Sequence, residues 1–180
     1  MNEVYLYITN LNYIHENEDM IKSFILPLDL EKAKRYKMQD DYLRKLASSY
    51  LIKKYTGKDP LYYNQYGKPY KKNICFNVSH SGNYIVLAVS NKEIGIDIEI
   101  LKDYGLDFVH KILNEDEIKL LDTYHFINFW TAKEAIIKSL GETFPKDIKT
   151  LIIKTFDGIN EYNNELFYLK QLSLSESWTF

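Results

Sequence analysis

Short runs of the chain alternate apolar and polar residues, and longer runs repeat apolar residues every three or four positions. Alternation is typical of strands, and the wider repeat is typical of helices that bury one face. The second half of the chain repeats the order of elements in the first half, so the sequence predicts two similar α+β lobes. The pattern predicts strands at residues 4–9, 74–78, 84–90, 93–100, 148–156 and 166–172, and helices at residues 29–37, 40–55, 106–111, 115–123 and 126–140.

The predicted strand at residues 93–100 carries two acidic residues, Asp97 and Glu99, that are separated by one position. Successive side chains of a strand point to opposite faces, so both carboxylates are expected on one face, and Ile96 and Ile98 on the other. A pair of carboxylates on one face is a candidate ligand for a hard cation. A strand with a solvated polar face is the alternative interpretation of the same residues.

The predicted helix at residues 126–140 places Trp130, Glu134 and Lys138 on one stripe, because residues four apart are neighbours on a helix. The opposite face of this helix is apolar and supplies the buried side. The stripe therefore presents a carboxylate and an ammonium group together. An ordinary surface ion pair, worth about 0.3 kcal/mol, is the alternative interpretation.

Residues 77–82 read Asn-Val-Ser-His-Ser-Gly and form a predicted polar turn between two apolar strands. A bend that glycine permits would expose backbone N–H groups beside the Ser79 hydroxyl and the His80 imidazole, which suits phosphate. The alternative is a plain hairpin connection with His80 at the surface. Further along the chain, Asn114 and Glu117 match a helix capping box, which explains Glu117 at least as well as a catalytic role does.

Composition indicates a globular protein, since 46% of the 180 residues are hydrophobic and 15% are aromatic. No apolar run is long enough to span a membrane, and the N-terminus lacks the charged and apolar regions of a secretion signal. We therefore expect a cytoplasmic protein without a membrane partner. Cys75 is the single cysteine, which excludes a disulfide or a cysteine-based metal cluster within one chain.

Charge divides the chain into two unlike halves. Residues 1–92 hold 14 basic and 9 acidic side chains, whereas residues 93–180 hold 9 basic and 16 acidic ones. The basic half suits a small phosphorylated ligand or an acidic protein partner. Nucleic acid is not expected as a partner, because the net charge is only −2 and no nucleic-acid-binding motif occurs.

Three motifs follow one another along about 75 residues. The first is Tyr-Gly-Lys-Pro at residues 66–69 followed by Phe-Asn-Val-Ser-His-Ser-Gly at 76–82. The second is Ile-Gly-Ile-Asp-Ile-Glu at 94–99, and the third is Trp-Thr-Ala-Lys-Glu-Ala-Ile-Ile-Lys at 130–138 with a glycine at 141. In this order and spacing the chain resembles the Sfp-type 4'-phosphopantetheinyl transferases over roughly residues 1–155.

The resemblance implies two lobes, residues 1–92 and 93–180, related by pseudo-twofold symmetry, each a small antiparallel sheet packed with helices. It also implies that coenzyme A and a magnesium ion bind in the cleft between the lobes. Three acidic residues match the metal ligands of the family, namely Asp97, Glu99 and Glu134. By the same resemblance, the residues that hold coenzyme A match Lys32, Arg44, Lys68, Ser79, His80 and Lys138.

The resemblance further implies a reaction in which a serine of an apo acyl or peptidyl carrier protein attacks the β-phosphorus of coenzyme A. The leaving group is 3',5'-adenosine bisphosphate. The catalytic residues implied are Glu134, as the base that accepts the serine proton, together with Lys138 and Asp97. The protein is expected to act as a monomer.

One residue departs from the family pattern. Asp29 stands near a position where members of the family often have lysine, and we interpret it as a cap of the helix that follows. Two other functions stay open. A non-catalytic module that binds coenzyme A or carrier proteins would keep the fold, although the intact set of acids with Lys138 argues against it. A metal-dependent phosphohydrolase would use the acids but would leave Lys68 and His80 without a role.

Overall fold

The computed structural model describes residues 3–173, and within that range the chain forms seven α-helices, seven strands and one 3₁₀ helix, Ile148–Thr150. The helices are α1 (Leu11–Glu16), α2 (Glu18–Phe24), α3 (Pro27–Ala33), α4 (Gln39–Thr56), α5 (Leu106–Ile112), α6 (Glu115–Ile118) and α7 (Phe126–Leu140). The strands are β1 (Val4–Asn10), β2 (Tyr62–Tyr63), β3 (Pro69–Tyr70), β4 (Cys75–Ser81), β5 (Tyr84–Ser90), β6 (Asp157–Tyr162) and β7 (Glu165–Lys170).

A three-stranded antiparallel sheet in the order β1-β5-β4 forms the centre of the first half. Strand β5 lies in the middle, and residues 85–89 within it are at most 6% exposed because both faces of the strand are covered. Ile85, Leu87 and Val89 face a core that α1 and α4 complete with Ile14 and Leu46. The helices of this half therefore cover one face of the sheet and leave the other face to the rest of the chain.

A buried charge pair joins α3 to α4. The Lys53 side chain is 2% exposed, and its Nζ donates to the carbonyl oxygen of Asp59 at 2.9 Å and lies 3.7 Å from Asp29 Oδ2. Helix α3 has Leu26 as its N-cap, so the interpretation of Asp29 as a cap is wrong. Asp29 instead compensates the charge of Lys53 inside the first half.

A second core occupies the other half of the chain and surrounds α7. Phe129 and Ile136 of α7 pack in it with Leu113 and Leu151, all at most 2% exposed. The antiparallel hairpin β6-β7 covers this core and contributes Leu169 to it. This half therefore consists of three helices packed with a two-stranded sheet.

The predicted strands at residues 93–100 and 148–156 are wrong. Residues 93–100 are extended but belong to no sheet, because backbone N–H groups such as that of Ile96 bond to side chains of β4. Residues 148–156 begin with the 3₁₀ helix, and the backbone N–H of Ile153 donates to a carboxylate of α6 instead of a neighbouring strand. The β-branched residues of both segments produced the strand pattern.

Other elements differ from the prediction in length or were not predicted. Helices α3 and α6 end early, at Ala33 and Ile118, and turns follow both. Helices α1 and α2 and strands β2, β3 and β6 are absent from the prediction. Strands β1, β4, β5 and β7 and helices α4, α5 and α7 confirm it within a few residues.

The architecture confirms an α+β protein with small antiparallel sheets and packed helices. Its two cores come from different halves of the chain, but the larger sheets of the halves differ, with three strands in one and two in the other. The pseudo-twofold relation between the lobes stays a prediction. Along residues 3–173, no helix combines the length and the apolar character that crossing a membrane requires.

A fully buried ion pair joins α6 to α7. Lys133 Nζ lies 2.7 Å from Glu117 Oε2, and the two side chains are 0% and 1% exposed. Lys133 also donates to the carbonyl of Ile112, and Glu117 accepts from the backbone N–H groups of Asn114 and Ile153. Burial lowers the pKa of Lys133, and the Glu117 carboxylate opposes that effect. Glu117 therefore completes the predicted capping box and also connects α6 with α7 and with the segment at Ile153.

Replacing Lys133 by methionine should lower the free energy of unfolding by about 3–5 kcal/mol, because Glu117 then remains buried without its partner. Adding Glu117→Gln removes that uncompensated charge and should recover part of the loss. Urea unfolding at neutral pH measures both variants. Lys119→Met removes an exposed lysine of the same region and should leave the stability nearly unchanged. A Lys133→Met variant as stable as Lys119→Met would contradict the prediction.

Candidate active site

The extended segment, residues 93–100, lies across the face of the first sheet that the helices leave free. Strand β4 buries Phe76 and Val78 in the first core, so its alternate residues point to the opposite face. Among these, Asn77 Oδ1 accepts a hydrogen bond from the backbone N–H of Ile96 at 3.0 Å. Side chains of β4 thus replace the strand partner that the segment lacks.

Two serines of β4 hold the two acidic side chains of the extended segment. Ser79 Oγ donates to Asp97 Oδ1 at 2.8 Å, and Ser81 Oγ donates to Glu99 Oε2 at 2.7 Å. Both carboxylates therefore lie on the same side of the segment, as their spacing predicts. They face polar side chains of the protein instead of open solvent, which argues against the interpretation as a solvated polar face.

Gly95 allows the extended segment to touch α7. A Cβ atom at this position would overlap the carbonyl oxygen of Ala135 and would lie 2.5 Å from the backbone nitrogen of Ser139. Only glycine permits two backbones to approach so closely. The contact brings Glu134 and Lys138, which lie on α7, beside the acidic residues of the segment.

Lys138 is the centre of a polar cluster between the two halves. Its Nζ donates to Asp97 Oδ1 at 2.6 Å and to Ser79 Oγ at 3.2 Å, and it lies 3.8 Å from Glu134 Oε2. The side chains of Asp97, Glu134 and Lys138 are 4%, 19% and 30% exposed. The cluster is therefore buried at Asp97 and partly open to solvent at Glu134 and Lys138.

Burial raises the pKa of both Asp97 and Glu134 above the usual carboxyl range. At each carboxyl the positive charge of Lys138 opposes this effect, whereas the negative charge of Glu99 adds to it. The three acidic residues thus act on one another in one electrostatic site. One ammonium group compensates them incompletely, and further positive charge would stabilise their ionised forms.

The predicted turn at residues 77–82 is shorter than expected, because β4 continues to Ser81 and the turn begins at Gly82. Arg44 of α4 fixes this turn by donating from Nη2 to the Gly82 carbonyl at 3.0 Å, while its Nη1 donates to Asp41 at 2.8 Å. His80 lies at the surface beside them. Partial desolvation, followed by the positive charges of Arg44 and Lys138, lowers the pKa of His80.

The other two lysines predicted to bind coenzyme A make contacts elsewhere. Lys32 Nζ donates to the Tyr63 hydroxyl at 3.2 Å and lies over the Tyr63 ring. Lys68 Nζ donates to the carbonyl oxygen of Ser139 at 2.8 Å and to Glu93 Oε2 at 3.2 Å. Within residues 3–173, no direct hydrogen bond or ion pair connects either lysine with Arg44 or His80.

The chemistry of the acidic residues suits a hard cation. Carboxylate oxygens are the ligands that magnesium prefers, and Asp97 Oδ2 is buried without a hydrogen-bond partner. In the described part of the chain, however, no three acidic, histidine or cysteine side chains already form a metal-binding group. Asp97, Glu99 and Glu134 thus remain predicted ligands whose donor atoms fit the ion.

The sequence analysis does not predict the positioning role of several residues in the site. Asn77 and Ser81 were interpreted as parts of a turn, although Asn77, Ser79 and Ser81 alternate as a polar strand face does. That alternation is a signal that sequence analysis can use. The contact of Gly95 with α7 has no such signal, because it depends on how distant segments pack.

Comparison with known proteins gives consistent results. A family model described as the 4'-phosphopantetheinyl transferase superfamily matches residues 93–179, which include all three predicted metal ligands and Lys138. A 4'-phosphopantetheinyl transferase from Bacillus subtilis is 31% identical in an alignment of 158 positions, and the alignment covers 78% of this chain and 70% of the relative. The similarity to this relative extends beyond the range of the family model into the first half.

Two further relatives differ in how much of them this chain covers. The 4'-phosphopantetheinyl transferase Sfp of Bacillus subtilis strain 168 is 29% identical in an alignment of 145 positions that covers 71% of this chain and 65% of that protein. A holo-[acyl-carrier-protein] synthase of Ehrlichia ruminantium is 33% identical in an alignment of 104 positions that covers 46% of this chain and 85% of that protein. The chain therefore spans slightly less than two thirds of Sfp.

Replacing Gly95 by alanine should destabilise the protein by about 3 kcal/mol or more, because the new methyl group would force the extended segment away from α7. Gly105→Ala is the matched control, since a Cβ at Gly105 meets no atom within 4 Å. Thermal and urea unfolding of the two variants measure the difference. Equal stability of both variants would show that the backbone contact at Gly95 is not a constraint.

Proposed function

Because the chain belongs to the Sfp-type 4'-phosphopantetheinyl transferases, a family of enzymes, we propose that it transfers 4'-phosphopantetheine from coenzyme A to a serine of an apo carrier protein. The second product is 3',5'-adenosine bisphosphate. The observation that carries this proposal is the partly buried cluster of Asp97, Glu134 and Lys138, to which the other half of the chain contributes Ser79. Such a cluster suits phosphoryl transfer, because positioning and charge stabilisation supply most of the catalysis of that reaction.

The binding of coenzyme A is proposed on the cationic side of the cleft. Arg44 and Lys138 both act electrostatically on His80, so two positive charges lie near the imidazole. These two cations and the neutral His80 ring, whose pKa they lower, offer hydrogen-bond donors to phosphate groups. Lys138 is proposed to contact the pyrophosphate, and Arg44 and His80 the 3'-phosphate. Lys32 of α3 donates a hydrogen bond to the Tyr63 hydroxyl. It is proposed to add positive charge to the binding site when that hydrogen bond breaks.

In the proposed reaction the serine oxygen of the carrier protein bonds to the β-phosphorus, and the bond from that phosphorus to the oxygen bridging the two phosphates breaks. Glu134 accepts the serine proton, directly or through a water molecule. In residues 3–173, Asp97 and Glu99 each accept a hydrogen bond from a serine hydroxyl. Glu134 has only an ion pair with Lys138, and its distance of 3.8 Å is longer than those hydrogen bonds. Its carboxylate is therefore the one available to a substrate proton.

Asp97, Glu99 and Glu134 would hold a magnesium ion, which supplies positive charge to the pyrophosphate. The support for this assignment is the unpaired buried oxygen of Asp97 and the mutual repulsion among the three carboxylates. Manganese prefers the same ligand atoms, so the identity of the metal is a separate question.

The proposal includes two lobes that form one site within a single chain. Ser79 and Arg44 come from residues 1–92, and Asp97, Glu134 and Lys138 come from residues 93–180. Since one chain supplies all of these groups, we propose that a monomer suffices. The pseudo-twofold relation of the lobes is proposed from the family, with the two separate cores as support.

The proposed function predicts that the protein adds the mass of one phosphopantetheine to an apo carrier protein in the presence of coenzyme A and magnesium. Intact-mass measurement on a panel of apo carrier proteins tests this. Asp97→Asn should lower kcat/KM by at least about a hundredfold, because it removes a preorganised charge from the site. Asp122→Asn, which changes an exposed acid of the same half, should retain wild-type activity.

The controls separate the proposed function from its two rivals. A chelator should abolish transfer, and added magnesium should restore it. Coenzyme A that binds without being transferred to any carrier protein would instead favour a non-catalytic binding module. Hydrolysis of phosphate esters without a carrier protein would favour a phosphohydrolase.

A further inference from the structure

A loop from the first half of the chain holds the C-terminal end of α7. The last carbonyl groups of a helix have no partner within the helix and must find one elsewhere. Here Lys68 Nζ donates to the carbonyl of Ser139 at 2.8 Å, and Asn64 Nδ2 donates to the carbonyl of Gly141 at 2.7 Å. Both donors lie in residues 64–68, which connect β2 to β3 and are distant in sequence from α7.

The loop is ordered by the same asparagine that holds the helix. Asn64 Oδ1 accepts from the backbone N–H groups of Tyr66 and Lys68, each at 2.9 Å. The backbone of Asn64 also donates to the Lys68 carbonyl at 3.0 Å. One side of the Asn64 amide therefore shapes the loop, and the other side binds α7.

The helix end is adapted to this contact by Gly141, which has a φ of +69° and follows the last helical residue. A Cβ atom at Gly141 would lie 2.9 Å from Lys68 Cδ and 3.1 Å from Asn64 Nδ2. A side chain at that position would therefore displace both donors. The loop and the helix end fit each other only with glycine at this position.

We propose that Asn64 and Lys68 are positioning residues that fix α7 against the extended segment, and that Lys68 acts through the helix and not as a ligand of the 3'-phosphate. This inference rests on the proposed function. The Lys68 ammonium already binds Ser139 and Glu93, and Ser139 is adjacent to Lys138 in the chain. A small displacement of α7 would move Glu134 and Lys138 together away from Asp97, and misplacement of about 1 Å can cost on the order of a hundredfold in rate.

Two variants test the inference in different ways. Lys68→Met removes the charge and the donor but keeps an apolar stem. Asn64→Asp keeps Oδ1 as the acceptor that shapes the loop, but it replaces the donor by an oxygen that faces the Gly141 carbonyl. Lys72→Met is the matched control, because Lys72 is an exposed lysine four residues after Lys68.

The kinetic experiment compares coenzyme A with 3'-dephospho-coenzyme A as donors, with one responsive apo carrier protein. We expect Lys68→Met and Asn64→Asp to lower kcat on the order of tenfold to a hundredfold with both donors, with little change in KM for either. The control should match the wild type. A Lys68→Met variant with normal kcat and a raised KM for coenzyme A alone would overturn the inference, because that result identifies a 3'-phosphate ligand.

Amide hydrogen exchange tests the same contact without substrate. Peptides that cover residues 137–141 should exchange at least about tenfold faster in both variants than in the wild type and the control. Unchanged exchange in both variants would overturn the inference. Absence of transfer by the wild-type protein would count against the proposed function alone, because the exchange measurement still decides whether the loop fixes α7.

Discussion

The close approach of the Gly95 backbone to α7 is the constraint on which the candidate site depends. It allows three layers to stack, with the polar face of β4 on one side, the extended segment in the middle and α7 on the other. Asp97 then accepts hydrogen bonds from Ser79 of the sheet and from Lys138 of the helix. A wider gap would separate the acidic residues of the segment from the helix that carries Glu134. The arrangement of the candidate site therefore depends on the absence of a side chain at Gly95.

The layers themselves were predictable, whereas their stacking was not. Strand β5 and helix α7 bury long, regular apolar patterns, and such patterns specify element type without reference to the rest of the chain. The alternation in residues 93–100 is also regular, but it is the same for a segment that pairs at a sheet edge and for one that lies across a sheet face. The position across the sheet face is stabilised by Asn77 and Ser81 of β4, whose side chains accept hydrogen bonds from the backbone of the segment. These two residues are distant from the segment in sequence, so its own pattern does not reveal the contact.

Neighbouring charges on α7 further illustrate what a sequence pattern leaves open. Lys133 and Glu134 are consecutive, but a helix turns by about 100° for each residue, so they face different surroundings. Lys133 enters the second core and pairs with Glu117, while Glu134 faces the cleft on the same stripe as Lys138. The motif at residues 130–138 therefore contains both a residue of the core, Lys133, and residues of the candidate site, Glu134 and Lys138. The degree of burial of these side chains in the structure distinguishes the two roles.

The balance of charge at the candidate site supports the proposal that a divalent cation and an anionic donor bind there together. Asp97, Glu99 and Glu134 face a single ammonium group, and burial already raises the pKa of two of them. Buried charge is costly unless an opposite charge compensates it, so the acidic residues favour a bound cation. Such a cation, together with the positive charges of Lys138 and Arg44, would make the exposed side of the site favourable for phosphate groups. The acidic second half and the basic first half thus support the proposed binding of a metal ion and of a polyphosphate, respectively.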